Sequence, residues 1–180
     1  TEVGRGIAAG GDSLVWGGGH VSMMGAVAQA ARDGGAHTLG VIPTALVDRE
    51  VADHGADELL VVATMRERKQ LMDDNAGAFL VLPGGVGTLE EFFETWTWRQ
   101  LGYHNKPLGL LNQHGYYEAM LRFMTIEVRA FHTSSTGMPA IGLVGSSEAA
   151  GLTVSLAPMT RTTSVSGKSS LISSISSTTS

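Results

Sequence analysis

The chain of 180 residues contains no cysteine, which excludes disulfide bonds and thiolate metal sites and makes a reducing compartment the simpler assumption. Basic residues are scarce: 12 Lys and Arg against 17 Asp and Glu leave a net charge of −5. A nucleic-acid-binding surface needs clustered basic residues, and the densest basic run is only MRERKQ at 65–70. No apolar run approaches the ~20 residues of a membrane span, and no signal peptide opens the chain. We therefore expect a cytoplasmic protein with neither nucleic-acid nor membrane partners.

The apolar residues that are present form five short runs, and helical patterns separate them. Each run is apolar at nearly every position, which is typical of strands buried on both faces of a parallel sheet. The predicted strands cover 13–16, 38–42, 59–62, 78–82 and 107–111, and the predicted helices cover 22–33, 65–75, 89–101 and 116–128. This alternation predicts an α/β fold: a doubly wound, Rossmann-like parallel sheet with helices on both faces. In such sheets ligands bind beyond the carboxyl ends of the strands.

Both ends of the chain depart from this pattern. Residues 1–9 resemble the last turns of a helix that ends at glycine, with no strand before it, so we expect the sheet to lack its first strand. Residues 132–158 are an atypical end for such a domain, although 140–157 have enough apolar character to add a strand. Serine and threonine dominate 159–180, a composition that predicts disorder. We expect a single catalytic domain over 1–158 and a disordered tail.

Two glycine-rich loops follow predicted strands: WGGGHVSMMG at 16–25 and PGGVGT at 83–88. The first is close to the dinucleotide-binding pattern, but Ser22 occupies the place of its third glycine and no acidic residue ends the second strand. Neither loop is followed by the Gly-Lys-Ser/Thr of a Walker A sequence. Such loops either make tight strand-to-helix turns or bind phosphate with their amides. Two of them at one sheet edge favour a phosphate ligand, with Gly18 and Gly19 as contacts in the first.

Glutamates follow the second loop directly. Thr88 and Glu91 match a capping box, and the helix dipole favours Glu90, so both glutamates have a purely structural explanation. Helical spacing, however, puts Glu91 opposite the apolar stripe of its helix, on the same side as Glu94 and Trp98. A tryptophan on that side indicates that something covers it.

Two cations are placed unusually on the predicted helix 65–75. Arg68 and Lys69 fall on one stripe with Met65 and Met72, where an unpaired charge is costly. Their charged ends either reach solvent at the helix end or point into the cleft above the sheet, toward a ligand anion or Glu91. We favour the cleft.

The segments MRERK at 65–69 and PGGVGTLEE at 83–91 together resemble the paired signature of the Lonely guy family, and the similarity extends over about residues 10–130. Members of this family are cytokinin riboside 5′-monophosphate phosphoribohydrolases, often mislabelled as lysine decarboxylases. The resemblance implies that Arg68 and Glu91 are the catalytic pair. It implies substrate contacts at Glu50, Lys69, Gly85, Val86, Gly87, Thr88, Leu89, Glu90 and Thr97. The chain departs from the family pattern at His20 and Ser22, at the missing first strand and beyond Phe131.

The resemblance implies hydrolysis of the N-glycosidic bond of N6-substituted adenosine 5′-monophosphates, without a cofactor or a metal. The glycine loop would hold the phosphate, and Glu91 would face a ribose that becomes cationic, a demand that glycosidases also meet with carboxylates. Arg68 would orient and stabilise charge, because arginine does not readily release a proton. Two alternatives are a broader purine 5′-monophosphate nucleosidase and a non-catalytic nucleotide or cofactor carrier. The family also implies a homodimer, for which an exposed Trp98 on helix 89–101 is the expected contact.

Overall fold

The predicted strands and helices are present in the structure, and the strands belong to a single sheet. The structure is a computed structural model that describes residues 1–49, 51–124, 142–144, 154–155 and 170–174. The helices within this part are α1 (Glu2–Ala9), α2 (Ser22–Asp33), α3 (Met65–Asn75), α4 (Val86–Gln100) and α5 (Glu118–Phe123). The strands are β1 (Ser13–Trp16), β2 (Thr38–Pro43), β3 (Glu58–Val62), β4 (Ala78–Val81), β5 (Leu108–Leu111), β6 (Gly142–Val144), β7 (Val154–Ser155) and β8 (Ser170–Ser174).

The sheet has the strand order β3-β2-β1-β8-β4-β5-β6-β7. All neighbouring strands run parallel except β6 and β7, which are antiparallel. Parallel strands need crossover connections, and α2, α3 and α4 supply them between β1 and β2, β3 and β4, and β4 and β5. The α/β, Rossmann-like fold class is confirmed. In the described part of the chain, no helix is long and apolar enough to cross a membrane.

Two apolar clusters lie on opposite faces of the sheet. On β1, Leu14 and Trp16 belong to the cluster under α1 and α2, whereas Val15 belongs to the cluster under α3 and α4. All three are at most 2% exposed. This double burial is the reason why the run is apolar at successive positions. The predicted burial on both faces is wrong for β3, which forms one edge of the sheet. Its Leu60 and Val61 are 37% and 56% exposed.

The start of α4 differs from the prediction. The helix begins at Val86, three residues before the predicted start, and its N-cap is Gly85 in an extended conformation. Thr88 therefore lies inside the first turn, fully buried, and the predicted capping box of Thr88 and Glu91 is wrong because its threonine is not at the N-cap. A capping box does begin α3, where Thr64 and Glu67 bond reciprocally. The bounds of α2 and α3 agree with the sequence.

The chain ends also bear on the sheet. The helix expected at residues 1–9 is α1, which ends at Gly10. Strands β6 and β7 fall within 140–157, where a further strand was considered possible. The predicted disordered tail differs at Ser170–Ser174, which pair on both sides with β1 and β4. Strand pairing uses main-chain groups that every residue of this segment has, so a serine-rich composition does not prevent it. Residues 159–169 and 175–180 lie outside the described part, and the domain boundary at 158 stays a prediction.

Candidate active site

Two glycine loops lie at the carboxyl edge of the sheet, where ligands of this architecture bind. The first glycine loop, Gly17–Val21, connects β1 to α2, and the second glycine loop, Leu82–Gly85, connects β4 to α4. The phosphate-site prediction placed its ligand contacts on these loops. Each loop is held in place by a different set of contacts.

The first glycine loop pairs with the segment that follows β2. The Asp53 amide donates to the Gly18 carbonyl at 2.8 Å, and the His20 amide donates to the Val51 carbonyl at 2.9 Å. Gly19 forms an isolated antiparallel bridge with the residue between those two partners. Main-chain bonds therefore fix both predicted contact residues of this loop, Gly18 and Gly19.

The buried carboxylate of Asp53 stabilises the segment that pairs with the first glycine loop. Asp53 is only 3% exposed, and its side chain lies 2.9 Å from a guanidinium nitrogen of Arg32 on α2. Its other oxygen accepts the Gly55 amide at 3.0 Å and lies 3.6 Å from Nδ1 of His20. A buried charge is tolerated only with partners of this kind. This ion pair is not recognisable in the sequence, because its members are 21 positions apart and follow no periodic pattern.

Backbone strain surrounds this loop. Ser22 and Val51 have positive φ angles of 57° and 46°, a region that side-chain-bearing residues seldom adopt. Ser22 stands at the third glycine position of the dinucleotide-binding pattern, and glycine enters this region without steric cost. Strained non-glycine residues are retained where the surrounding contacts over-determine the backbone, as the pairing of the first loop does here.

Arg68 lies under the first glycine loop. It is in the first turn of α3, which the capping box of Thr64 and Glu67 begins, and it is 4% exposed. Its Nη2 lies 3.4 Å from the Gly17 carbonyl. A Cβ atom built on Gly17 would overlap the Arg68 guanidinium, so glycine is the residue that leaves room for it. The expectation that Arg68 and Met72 face inward agrees with their burial, whereas Met65 is 43% exposed.

Lys69 connects α3 to α4. Its ammonium contacts Glu90 at 2.8 Å and Glu94 at 2.6 Å. Partial burial lowers the pKa of Lys69, but the two carboxylates outweigh that effect and raise it above its ordinary value. The ion pairs of Lys69 thus link α3, which carries Arg68, to α4, which carries Glu91.

The second glycine loop leads directly into the N-terminus of α4. The Leu89 amide makes the first helical bond, to the Gly85 carbonyl at 3.2 Å. The amides of Val86, Gly87 and Thr88 precede that bond, in the positions that attract anions at a helix N-terminus. Because the helix begins at Val86, the predicted phosphate contacts from Gly85 to Thr88 form its first turn.

Two tyrosines hold the second glycine loop from the side of β5. The hydroxyl of Tyr117 donates to the Leu82 carbonyl, and the hydroxyl of Tyr116 donates to the Gly84 carbonyl at 2.9 Å. The two rings meet edge to face, 4.9 Å apart. Burial, and next the neighbouring Tyr116, raise the pKa of Tyr117 to about 12, so it remains a donor at neutral pH. Both tyrosines were missed in the sequence, since their acceptors are carbonyls more than 30 positions away.

Glu91 is partly buried on α4. With Lys69 and Trp98 it lines a cavity of about 40 Å³ between α3 and α4. That volume is far below the ~300 Å³ of a small-ligand pocket, so this cavity does not itself hold a nucleotide. Trp98 is partly buried here, because residues of α3 and α4 cover part of its indole. Its role as a dimer contact stays a prediction.

The remaining predicted contacts are spread along α4 and beyond. Leu89 is partly buried, and Glu90 is exposed apart from its bond to Lys69. Thr97 is exposed and donates to the Phe93 carbonyl at 2.7 Å. Glu50 lies outside the described residues. No group of three His, Asp or Glu side chains that could hold a metal occurs among the residues described, and the expectation that no metal is needed stays a prediction.

Comparisons with known proteins agree with this architecture. A family model described as "possible lysine decarboxylase" matches residues 24–150. The chain is 51% identical over 144 residues to a cytokinin riboside 5′-monophosphate phosphoribohydrolase of Mycobacterium tuberculosis, covering 80% of this chain and 77% of that protein. Proteins of the same name from Arabidopsis thaliana and Oryza sativa are 49% and 48% identical, over 68% and 71% of this chain. The match spans 58% and 53% of those plant proteins.

Proposed function

Because the chain belongs to the Lonely guy family, whose model is described as possible lysine decarboxylase, we propose that it is a phosphoribohydrolase. Its substrates are adenosine 5′-monophosphates with a substituent on N6, the cytokinin riboside monophosphates. The reaction is hydrolysis of the N-glycosidic bond, which releases the free base and ribose 5-phosphate.

The observation that carries this proposal is the burial of Arg68 beneath Gly17, at the same sheet edge as the N-terminus of α4. A nucleoside monophosphate presents two demands. Its phosphate is an anion that suits the amides of the second glycine loop and the first turn of α4. Its ribose becomes positively charged in the transition state and needs a carboxylate nearby. We assign the first demand to the amides at the N-terminus of α4 and the second to Glu91, which lies in the second turn of the same helix.

In this mechanism the bond between C1′ of the ribose and the nitrogen of the base breaks, and water supplies the oxygen that bonds to C1′. The electron pair of the broken bond leaves with the base, and the base gains in net terms the proton that the attacking water loses. The Glu91 carboxylate stabilises the ribosyl cation while the bond is breaking. Arg68 remains protonated throughout and orients the substrate by hydrogen bonds and charge. Gly85, Val86, Gly87 and Thr88 hold the phosphate with their amides.

A homodimer is the proposed working form, and apolar side chains on α4 support it. Phe93 and Leu101 are 37% and 65% exposed on this helix or directly after it, and Val86 at its start is 81% exposed. Large exposed apolar groups along one helix mark a contact surface more often than free solvent. Trp98 is partly buried, so these more exposed side chains form the proposed contact. The cytoplasmic location stays a prediction.

The experiment that tests the function is a turnover assay with two substrates. Purified protein is incubated with isopentenyladenosine monophosphate and with AMP, and free base and ribose 5-phosphate are measured, with Glu91→Gln as the matched inactive control. We expect a higher kcat/KM for the N6-substituted nucleotide. Equal values for both would favour the broader purine nucleosidase. Binding of both nucleotides without product, in the wild type, would favour the non-catalytic carrier.

Light scattering tests the dimer. We expect a dimer for the wild type, a monomer for Phe93→Glu, and a dimer for the control Phe123→Glu, which changes a residue of α5 that is 59% exposed. A monomeric wild type with full turnover would contradict the dimer and leave the proposed reaction intact.

A further inference from the structure

The carbonyl groups of the second glycine loop need hydrogen-bond donors when the amides of the loop face an anion. A loop that aims N–H groups at an anion turns some of its carbonyls the other way, and these need donors of their own. Glycine makes the problem harder, because a backbone without Cβ atoms has many accessible conformations. A Cβ on Gly84 would overlap the Thr88 side chain, so the loop cannot be stiffened there by replacing glycine.

The donors come from the two adjacent tyrosines of the segment after β5. Tyr116 donates to the Gly84 carbonyl, and Tyr117 donates to the Leu82 carbonyl. Tyr117 is 3% exposed and its ring is part of the apolar cluster under α3 and α4, so this donor is fixed to the core. Tyr116 is 56% exposed, and it is fixed in turn by the edge-to-face contact with Tyr117.

Peptide geometry carries the effect from the carbonyl to the ligand side. In a planar trans peptide the C=O of one residue and the N–H of the next point in opposite directions. Holding the Gly84 carbonyl toward Tyr116 therefore aims the Gly85 amide away from Tyr116. Gly85 is the N-cap of α4 and one of the proposed phosphate contacts. The peptide after Leu82 has no N–H to aim, because the next residue is Pro83, so Tyr117 anchors the entry of the loop.

We infer that Tyr116 is a positioning residue for phosphate binding, which keeps the Gly85 amide directed at the phosphate, and that Tyr117 anchors Tyr116 and the loop to the core. This inference rests on the proposed function for the identity of the ligand. It assigns neither tyrosine a part in bond breaking.

The test compares Tyr116→Phe with Tyr103→Phe, since Tyr103 is the remaining tyrosine of the chain and is 77% exposed. Affinities for inorganic phosphate, AMP and adenosine are measured by calorimetry, together with kcat and KM. For Tyr116→Phe we expect binding of phosphate and AMP to weaken about fivefold to tenfold, the scale of one lost hydrogen bond. Adenosine affinity and kcat should stay within about twofold of Tyr103→Phe, because neither depends on the phosphate contact.

Phosphate and AMP affinities of Tyr116→Phe that equal those of Tyr103→Phe would overturn the inference. An equal loss for adenosine would overturn it too, because a general disturbance of the site would then explain the result. A wild type that releases no base, but whose phosphate affinity depends on Tyr116, would refute the proposed reaction and support the positioning role. Tyr117→Phe is a second variant, with the same phosphate-specific loss expected.

Discussion

The two glycine loops have similar compositions and are stabilised in opposite ways. The first is paired through its main chain with residues 51–53, and a buried ion pair between Asp53 and Arg32 supports that pairing. The second is held by the side-chain hydroxyls of Tyr116 and Tyr117. The first glycine loop therefore resembles a short extension of the sheet, whereas the second resembles a flexible turn tied down at two carbonyls.

This difference shows that glycine serves two purposes in one site. In the first loop Gly17 leaves room for a neighbouring side chain, Arg68, and the backbone around it is already fixed. In the second loop the glycines let the chain pass tightly from β4 into α4 and expose amides. We expect the first loop to govern the position of Arg68, the proposed catalytic arginine, and the second to govern the proposed binding of phosphate.

The largest effect is expected from Arg68 and Glu91, the proposed catalytic pair. Glu91→Gln and Arg68→Ala should each lower kcat at least ~100-fold, about 2.7 kcal/mol, the scale of losing one charge-stabilising group. Arg68→Lys should fail as well, because an ammonium does not replace a planar guanidinium. Steady-state kinetics measures this, with the exposed Glu2→Gln as the charge control. Activity of Glu91→Gln within a few-fold of wild type would leave Glu91 a purely structural residue.

Two glycine substitutions test the division between the loops directly. Gly17→Ala should displace the Arg68 guanidinium and lower kcat by about 10- to 100-fold, since small misplacements of a catalytic group are costly. Gly84→Ala should push the second loop away from Thr88 and mainly raise KM. Gly10→Ala is the control, because its φ is −74° and an added methyl group would meet only the end of the Asp12 side chain, at 3.0 Å, which can turn aside. Parallel changes in kcat and KM for both loop variants would refute the division.

Alkaline pH should loosen the second loop selectively. The pKa of Tyr117 is raised to about 12 in the folded protein, so its contribution to stability is complete below the unfolded pKa of ~10 and is lost as pH rises toward 12. The free energy of unfolding of the wild type should therefore fall more steeply between pH 10 and 12 than that of Tyr117→Phe. Urea unfolding at several pH values measures both slopes. Identical slopes for the wild type and Tyr117→Phe would contradict the prediction.

The smallest effect concerns strain beside the first loop. Ser22→Gly removes the steric cost of a φ angle of 57° but adds chain entropy to the unfolded state, so a net gain of about 0.5 kcal/mol is expected. Ser13→Gly, in β1, is the control and should destabilise, since no such strain exists there to relieve. Thermal unfolding measures both. A destabilised Ser22→Gly would show that the side chain of Ser22 contributes more than its backbone costs.

The fold could be predicted where local patterns determine the structure. Apolar runs located β1 to β5 within one residue at each end. For β1, β2, β4 and β5 the reason is burial on both faces, whereas the edge strand β3 is apolar although it is largely exposed. The start of α4 could not be found in this way. Gly87 has a poor helix propensity, and the threonine after it imitates an N-cap, so the first turn is concealed. Burial of Thr88 against Gly84 overrides both local signals.

The candidate site was predictable in its residue types and less so in their partners. Motif and helical spacing singled out Arg68 and Lys69 as inward-facing cations. The expected partner of Lys69 was a ligand anion or Glu91, but its ammonium bonds Glu90 and Glu94, one helical turn apart on α4. Which face of α4 meets α3 depends on the angles at which the two helices cross the sheet. A single sequence does not determine those angles. The same limit concealed Tyr116.

The ion pair between Arg32 and Asp53 restricts how this protein can evolve. Replacing Arg32 alone leaves the buried Asp53 carboxylate without its closest cation, at a cost of about 3–5 kcal/mol, whereas joint replacement by apolar residues can be nearly neutral. Evolution can therefore replace this pair only by substituting the residue on α2 and the residue after β2 together. Substitution at one position should depend on the other, an epistasis that would link two sites 21 residues apart across a family of sequences.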